Sequence, residues 1–181
     1  MHVSLDGFVA GPKGEMNWIN ANEEVFEVAG EATAKADTAM YGRVTYDMMN
    51  SYWPNAGKQP GASRHDVEHA EWYNRVTKVV ISRSMKDKNL PNTRVVGTQL
   101  VDEILSLKNE PGGDILIFGS PRASHALMAA NLIDEYALMV NPVLLGKGIP
   151  LFANISNHVK LKNLRIRKLD SGVVFLRYET V

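Results

Sequence analysis

Three short stretches carry the side chains best suited to holding an anion: Gly42-Arg43-Val44-Thr45, Ser82-Arg83-Ser84 and Gly119-Ser120-Pro121-Arg122. Each follows an apolar run, each offers glycine, hydroxyl or arginine, and none contains an acid. Gly119 lets the backbone approach a ligand closely, and a helix starting just after it presents free N–H groups and the positive end of its dipole, a seat for a pyrophosphate. Pro121 suits a first helical position, where its missing N–H costs nothing. Arg43 and Arg83 can fork onto a phosphate monoester. In dinucleotide sites an acid on the ribose goes with the unphosphorylated cofactor and an arginine with the 2′-phosphorylated one, so the two arginines favour NADPH over NADH. Each stretch alone has a plainer reading, as a structural helix start or a solvated arginine. Their recurrence after three strands is what points to one site. "GSPRAS" keeps only the first glycine of the Gly-x-Gly-x-x-Gly fingerprint.

The elements that must position these residues alternate. "MHVSL" reads as a strand entered at once, which leaves room for the first strand to begin upstream of Met1, and a glycine-rich loop from Asp6 to Asn17 follows, ending at Trp18. Residues 22–36 form a helix with Asn22 as cap and acids in the first turn. "DTAMY" is a strand, and "RVTYDMMNSYW" a helix with Val44, Met48 and Met49 on its recurring apolar face. The two prolines and two glycines of residues 54–66 indicate a surface loop, with a short helix over roughly 66–74. "KVVISR" and "TRVVG" are strands, 99–109 a helix, 114–118 a strand and 122–131 a helix. Thereafter only strands follow: "EYALMVNPVLL", "VKLKNLRIRKL" and "VVFLRYE", the last two joined at Asp170-Ser171-Gly172 as a hairpin. The fold class is α/β: a mixed, mostly parallel sheet flanked by helices, with an antiparallel C-terminal hairpin, in a single domain over residues 1–181. In such sheets ligands bind at the carboxyl ends of the parallel strands, where all three stretches fall.

The totals narrow the function further. Twenty basic and twenty acidic residues leave a formal net charge of zero, so no global field favours nucleic acid or a membrane surface. The absence of cysteine excludes disulfides, thiolate catalysis and Cys-based zinc sites, and is compatible with a cytoplasmic location. No apolar run approaches the ~20 residues of a membrane span, and the N-terminus lacks a signal-peptide pattern. His65 and His69 stand four apart on a helix, a zinc-compatible spacing, but no third ligand is evident and no metal is expected. Gly146-Lys147-Gly148 could cradle a phosphate, yet reads better as a bulge or turn between edge strands. Met48, Met49, Met128 and Met139 read as core filler. "KLKNLRIRK" alternates basic and apolar residues as a half-exposed strand does, not as a nucleic-acid face.

The stretches "SLDGFVAGPKGEMNW", "YGRVTYD", "KVVISRS" and "ILIFGSPRASHALMAANLIDEYALMVNPVLLGKGIPLF" resemble, in order and over almost the whole chain, the dihydrofolate reductase-like superfamily. The closest branch is that of the reductase domain of the bifunctional riboflavin-biosynthesis deaminase-reductase, of which "PVLLGKGIPLF" is typical. The resemblance implies a three-layer fold with a mixed eight-stranded sheet, NADPH as hydride donor and a homodimer. It puts Gly42, Arg43 and Thr45 at the cofactor phosphates, Ser82 and Arg83 at the 2′-phosphate, and Gly119, Ser120, Arg122 and Ala123 at the pyrophosphate. It puts Val9 and Ala10 against the nicotinamide, and Asp6, Gly7 and Trp18 at the substrate pocket.

Hydride transfer to a C=N or C=O carbon leaves negative charge that needs a proton or hydrogen-bond donor. In the resemblance the carboxylate five residues after Trp18 is Glu23, beside Glu24, and Asp6 is the other candidate. Their plainer readings are helix-start acids and an Asp-Gly turn. The expected activity is reduction of an aminouracil ribosylamine, a small pyrimidine or pteridine-type substrate. Dihydrofolate or pteridine reduction, and a non-catalytic NADP-binding dimeric module, remain as alternatives.

Overall fold

Continuous apolar runs need both faces covered, and the three strands that bear the anion-type exits do lie in one parallel sheet, with a fourth strand at its edge. The computed structural model describes residues 1–85, 89–155 and 157–181. The chain divides into two units, Phe26–Ser120 and the pair of segments Met1–Val25 with Pro121–Val181.

The first of these holds β3 (Ala36–Gly42), α2 (Arg43–Ala56), α3 (Arg64–Arg75), β4 (Thr77–Ile81), β5 (Thr93–Val96), α4 (Leu100–Lys108) and β6 (Asp114–Ile117), with most of α1 (Glu23–Thr33). Its strands lie in the order β5-β4-β3-β6, all parallel. Tyr41, Val80, Trp72, Tyr73 and Tyr46 form its buried core, with Phe118 and Trp53 packed against it.

The other unit holds β1 (His2–Ser4), β2 (Phe8–Ala10), α5 (Pro121–Ala129), β7 (Glu135–Asn141), β8 (Ile149–Pro150), β9 (Leu161–Lys168) and β10 (Val174–Thr180). A sheet of order β1-β7-β10-β9 pairs β1 parallel to β7 and the rest antiparallel, and β2 and β8 make a separate antiparallel ribbon. Val3, Val9, Met128, Tyr136 and Leu151 are its core. The α/β class, the parallel sheet and the C-terminal hairpin are as expected; among the described residues, however, the ladders number ten strands in three sheets where the resemblance implies one sheet of eight.

Local expectations fail where long-range packing decides. Helix α2 runs on through Pro54 to Ala56. Proline in a last turn removes only one hydrogen bond, while continuation buries Ala56 and packs Trp53 against the core. Helix α3 begins at Arg64 because Ser63 and Asp66 form a reciprocal capping box, a Ser-x-x-Asp signal inside the stretch read as loop. Val44 and Met48 are not core: they are 72% and 45% exposed, and Tyr46 is the buried residue of that helix start. Strand β7 stops at Asn141, since Pro142 cannot donate to a ladder. Strand β9 is not half-buried; among the described residues it pairs with β10 alone, and Leu161, Leu164 and Ile166 are exposed.

Candidate functional site

The order β5-β4-β3-β6 contains a topological switch. From β3 the chain goes to β4 and outward to β5, then returns to lay β6 on the opposite side of β3. Ligands of doubly wound sheets bind in the crevice outside the carboxyl ends at such a point. The two strand ends that flank it are Gly42 and the Phe118-Gly119-Ser120 exit.

Those ends are joined. Gly42 N–H donates to Ser120 Oγ at 2.9 Å, and Ser120 Oγ–H donates to Phe118 O at 3.0 Å. Gly119 and Ser120 both have left-handed backbones, φ +52° and +59°, so the chain turns sharply at the end of β6. A Cβ on Gly119 would sit 3.4 Å from Thr45 Cγ2, which brings Gly119 and Thr45 together over the crevice. The Ser120 side chain is therefore a strut between strand ends, and what it leaves to a ligand is backbone.

Gly42 caps α2 with extended backbone and no side-chain hydrogen bond, and the first turns of α2 and α5 contain no acid. A helix start without an internal acceptor is the donor set an anion needs. Arg43 Nη1 lies 3.0 Å from Asp47 Oδ2, both half-exposed, a pairing weak enough for a phosphate to displace. One strand further out, Ser82 is buried, its hydroxyl 3.2 Å from that of Ser84, and Arg83 is exposed. The unit thus gathers Gly42, Arg43, Thr45, Ser82, Arg83, Gly119 and Ser120 on one sheet edge.

The remaining candidates lie in the other unit. Arg122 and Ala123 occupy the first turn of α5, exposed and buried respectively. Val9 and Ala10 are on β2, with the Val9 side chain in the core, so what that strand offers a planar ring is its backbone. Trp18 is half-buried and donates from Nε1 to Glu15 O at 3.1 Å within the same loop. Glu23 is exposed at the start of α1, while Glu24 accepts the Asp170 N–H at 2.8 Å; Asn22 caps as expected, its Oδ1 taking the Val25 N–H.

Asp6 is the most committed of the polar groups. Gly7, at φ +88°, closes a turn back to Ser4, and the Asp6 carboxylate accepts the Ser4 hydroxyl at 2.6 Å, the Leu145 N–H at 3.1 Å and the Gly146 N–H at 2.7 Å. The Ser4 hydroxyl first, then the Gly146 and Leu145 amides, hold its carboxyl below the ordinary value. It is an ionised acceptor at neutral pH, poorly suited to donate a proton.

Sequence reasoning missed two buried supports in this unit. Ser4, 1% exposed, holds Asp6 and also accepts the Phe8 N–H at 2.9 Å. Asn141, equally buried, accepts the Asn20 N–H at 3.0 Å and so ties the end of the Trp18 loop to β7. An asparagine beside a proline at a strand end was the available signal for the second; nothing local marks the first.

Among the described residues no group of three or more His, Cys, Asp or Glu side chains could hold a metal ion. His65 and His69 pack on aromatic rings, His65 on Phe26 and His69 on Trp53, both at 4.0 Å between centroids. No helix among the described residues is long and apolar enough to cross a membrane.

Comparison with known proteins identifies the family and the fold. The sequence model of the RibD C-terminal domain matches residues 1–175. The Bacillus subtilis (strain 168) protein YyaP, itself uncharacterized, is 30% identical over 97% of this chain and 90% of its own. Among solved structures, a Shewanella sp. PV-4 protein assigned to riboflavin biosynthesis superposes with a TM-score of 0.77 at 21% identity, covering 100% of this chain and 96% of that one. The dihydrofolate reductase of Enterococcus faecalis, complexed with NADP(H) and RAB-propyl, superposes with a TM-score of 0.62 at 17% identity, covering 99% of this chain and 92% of that one. The fold is dihydrofolate reductase-like.

Proposed function

We propose a function for a chain that belongs to the RibD C-terminal domain family: an NADPH-dependent reductase that transfers hydride to a small pyrimidine-type substrate, as 5-amino-6-(5-phosphoribosylamino)uracil reductase does. The observation that carries it is the Gly42–Ser120 strut, which joins two glycine-bearing strand ends into one edge at the switch point of a parallel sheet.

The residues fit a dinucleotide phosphate group. Gly119 allows close approach, the start of α2 keeps its N–H groups free of side-chain caps, and no acid stands in either first turn. In the proposal Gly42, Arg43 and Thr45 bind the phosphates, Gly119, Ser120, Arg122 and Ala123 the pyrophosphate, and Ser82 and Arg83, one strand further out, the 2′-phosphate. The β2 backbone at Val9 and Ala10 supports the nicotinamide. The bound cofactor supplies the hydride.

The chain's own residues then orient the acceptor and manage charge. Gly7 and Trp18 border the substrate. Asp6, with its lowered pKa, remains an anion that aligns the loop beside the substrate, which leaves Glu23 as the carboxylate able to pass a proton. The exposed apolar residues of edge strand β9 support a homodimer.

Titration of NADPH and NADH against the fluorescence of Trp18, Trp53 and Trp72 tests the cofactor. NADPH should bind at least tenfold more tightly, and Arg83→Ala should remove most of that preference while leaving NADH affinity unchanged. Equal affinity for the two in the wild type would overturn the roles of Arg43 and Arg83. Oxidation of NADPH on adding the aminouracil ribosylamine separates a reductase from a module that binds and does not turn over.

A further inference from the structure

The connection from β7 to β8 is held at more points than a loop between two strands requires. Leu5 N–H donates to Val143 O at 2.9 Å, the Asp6 carboxylate takes the Leu145 and Gly146 amides, and Leu151 N–H donates to Gly7 O at 2.8 Å. Gly146 has φ +70°, a region that favours glycine. Gly148 lies so close to the β2 backbone that an added Cβ would collide with Ala10 O and press on Phe8. Beyond it the ribbon pairs Ala10 with Ile149 and Phe8 with Pro150. On α5, His125 Nε2 lies 3.1 Å from Pro150 O and 3.0 Å from Leu151 O, bracing the far end of β8.

The result is a fixed backbone carrying one long side chain at its tip. Lys147, exposed between two glycines, stands two residues from the Ala10–Ile149 rung. A free surface lysine spends entropy whenever it is held to a ligand, and a rigid mount reduces that cost to the side chain alone. Asp6 is already saturated by the Ser4 hydroxyl and the loop amides, so it fixes the mount and leaves the ammonium available for an external anion.

We propose that Lys147, on the Asp6-clamped Gly146-Lys147-Gly148 loop, binds an anionic substituent of the substrate, specifically a phosphate monoester on its sugar. This rests on the reading above, in which β2 lies at the nicotinamide end, because a cation beside β2 is then next to the hydride acceptor and remote in sequence from the residues given to the cofactor phosphates. Lys147 is a specificity-determining residue here and takes no part in proton transfer.

The test compares wild type, Lys147→Ala and Lys147→Arg with the phosphorylated ribosylaminouracil and its dephosphorylated counterpart. Lys147→Ala should raise KM for the phosphorylated compound about ten- to a hundredfold with kcat nearly unchanged, and leave KM for the dephosphorylated one alone. Lys147→Arg should restore most of the loss. NADPH affinity, read by tryptophan fluorescence, should not change. A second readout needs no turnover: broadening of the ³¹P resonance of a simple sugar phosphate by the wild type, lost in Lys147→Ala. An unchanged KM and unchanged broadening would overturn the assignment, as would weakened NADPH binding, which would make Lys147 a cofactor residue. Failure of the wild type to bind NADPH would instead overturn the reductase reading.

Discussion

Gly42 N–H and Ser120 Oγ meet at 2.9 Å although 78 residues separate them, and that bond closes the carboxyl ends of β3 and β6 into one edge. The hydroxyl has no freedom to serve a ligand as well, because its own proton goes to Phe118 O. Ser120→Ala leaves a partly buried Gly42 N–H without its acceptor, which costs about 1–3 kcal/mol. The melting temperature should fall and NADPH affinity should weaken together, measured by calorimetry and fluorescence titration. Gly119→Ala should destabilise by about 1–2 kcal/mol through its φ of +52° and should also crowd Thr45. If Ser120→Ala weakens NADPH with no change in stability, the hydroxyl is a ligand and not a strut.

Asp6 predicts a pH dependence with a definite sign. Its folded pKa lies below the ordinary carboxylate value, so its stabilising effect is present above the unfolded pKa and is lost as pH falls through the lower folded one. Between pH 5 and 8 the clamp on Leu145 and Gly146 is constant. As pH falls through that lowered value the amides of these two residues should lose protection relative to their intrinsic exchange rates, as proton-resolved hydrogen exchange would record. In Asp6→Ala they should be unprotected at every pH. Protection that is the same in both proteins at pH 7 would show that the backbone, not Asp6, holds the loop.

What the sequence made legible follows from how local each signal is. The parallel strands of the Phe26–Ser120 unit are apolar runs bounded by helices, and their exits sit next to them in the chain, so Gly42, Ser82 and Gly119 could be placed on one edge from pattern alone. The β2–β8 ribbon could not, because strands of three and two residues have no periodicity and their partners are about 140 residues apart. For the same reason Asp6 read as a turn residue or an acid; the amides that occupy it belong to Leu145 and Gly146. Helix α2 was misjudged on its exposed side, where Val44 and Met48 share an apolar pattern that tertiary packing does not use. The fold class and the glycine- and arginine-bearing sheet edge are thus properties of neighbouring residues, whereas the roles of single polar side chains depend on contacts that only folding brings together.

His69 gives a second pH dependence, in the opposite region of charge chemistry. Its ring lies 4.0 Å from Trp53, 5.2 Å from Trp72 and 6.0 Å from Phe118, and burial, followed by the charge of His65 at 5.3 Å, lowers its pKa to about 4 against the pull of Asp66. The unfolded state therefore binds a proton that the folded state refuses between pH 6.5 and about 4. Stability should fall over that window on acidification, by on the order of 2–3 kcal/mol from this group. His69→Phe keeps an aromatic ring and removes the titration, so its urea midpoint should vary less between pH 7 and 4.5 than that of the wild type. Equal slopes for the two proteins would place the acid sensitivity elsewhere.

The edge strand β9 makes the last prediction. Leu161, Leu164 and Ile166 are 41%, 40% and 63% exposed along a strand whose only partner among the described residues is β10. An unpaired edge with apolar residues on it is either covered by another chain or blunted by charge, and Lys160, Lys162, Arg165, Arg167 and Lys168 supply charge along the same stretch. The homodimer reading requires the apolar side chains to dominate. Ile166→Asp should then convert the dimer to a monomer in sedimentation equilibrium at micromolar concentration, with a melting temperature that becomes independent of protein concentration. A wild type that already sediments as a monomer would assign β9 to protection by its basic residues, and Ile166→Asp would in that case change stability by no more than about 0.5 kcal/mol.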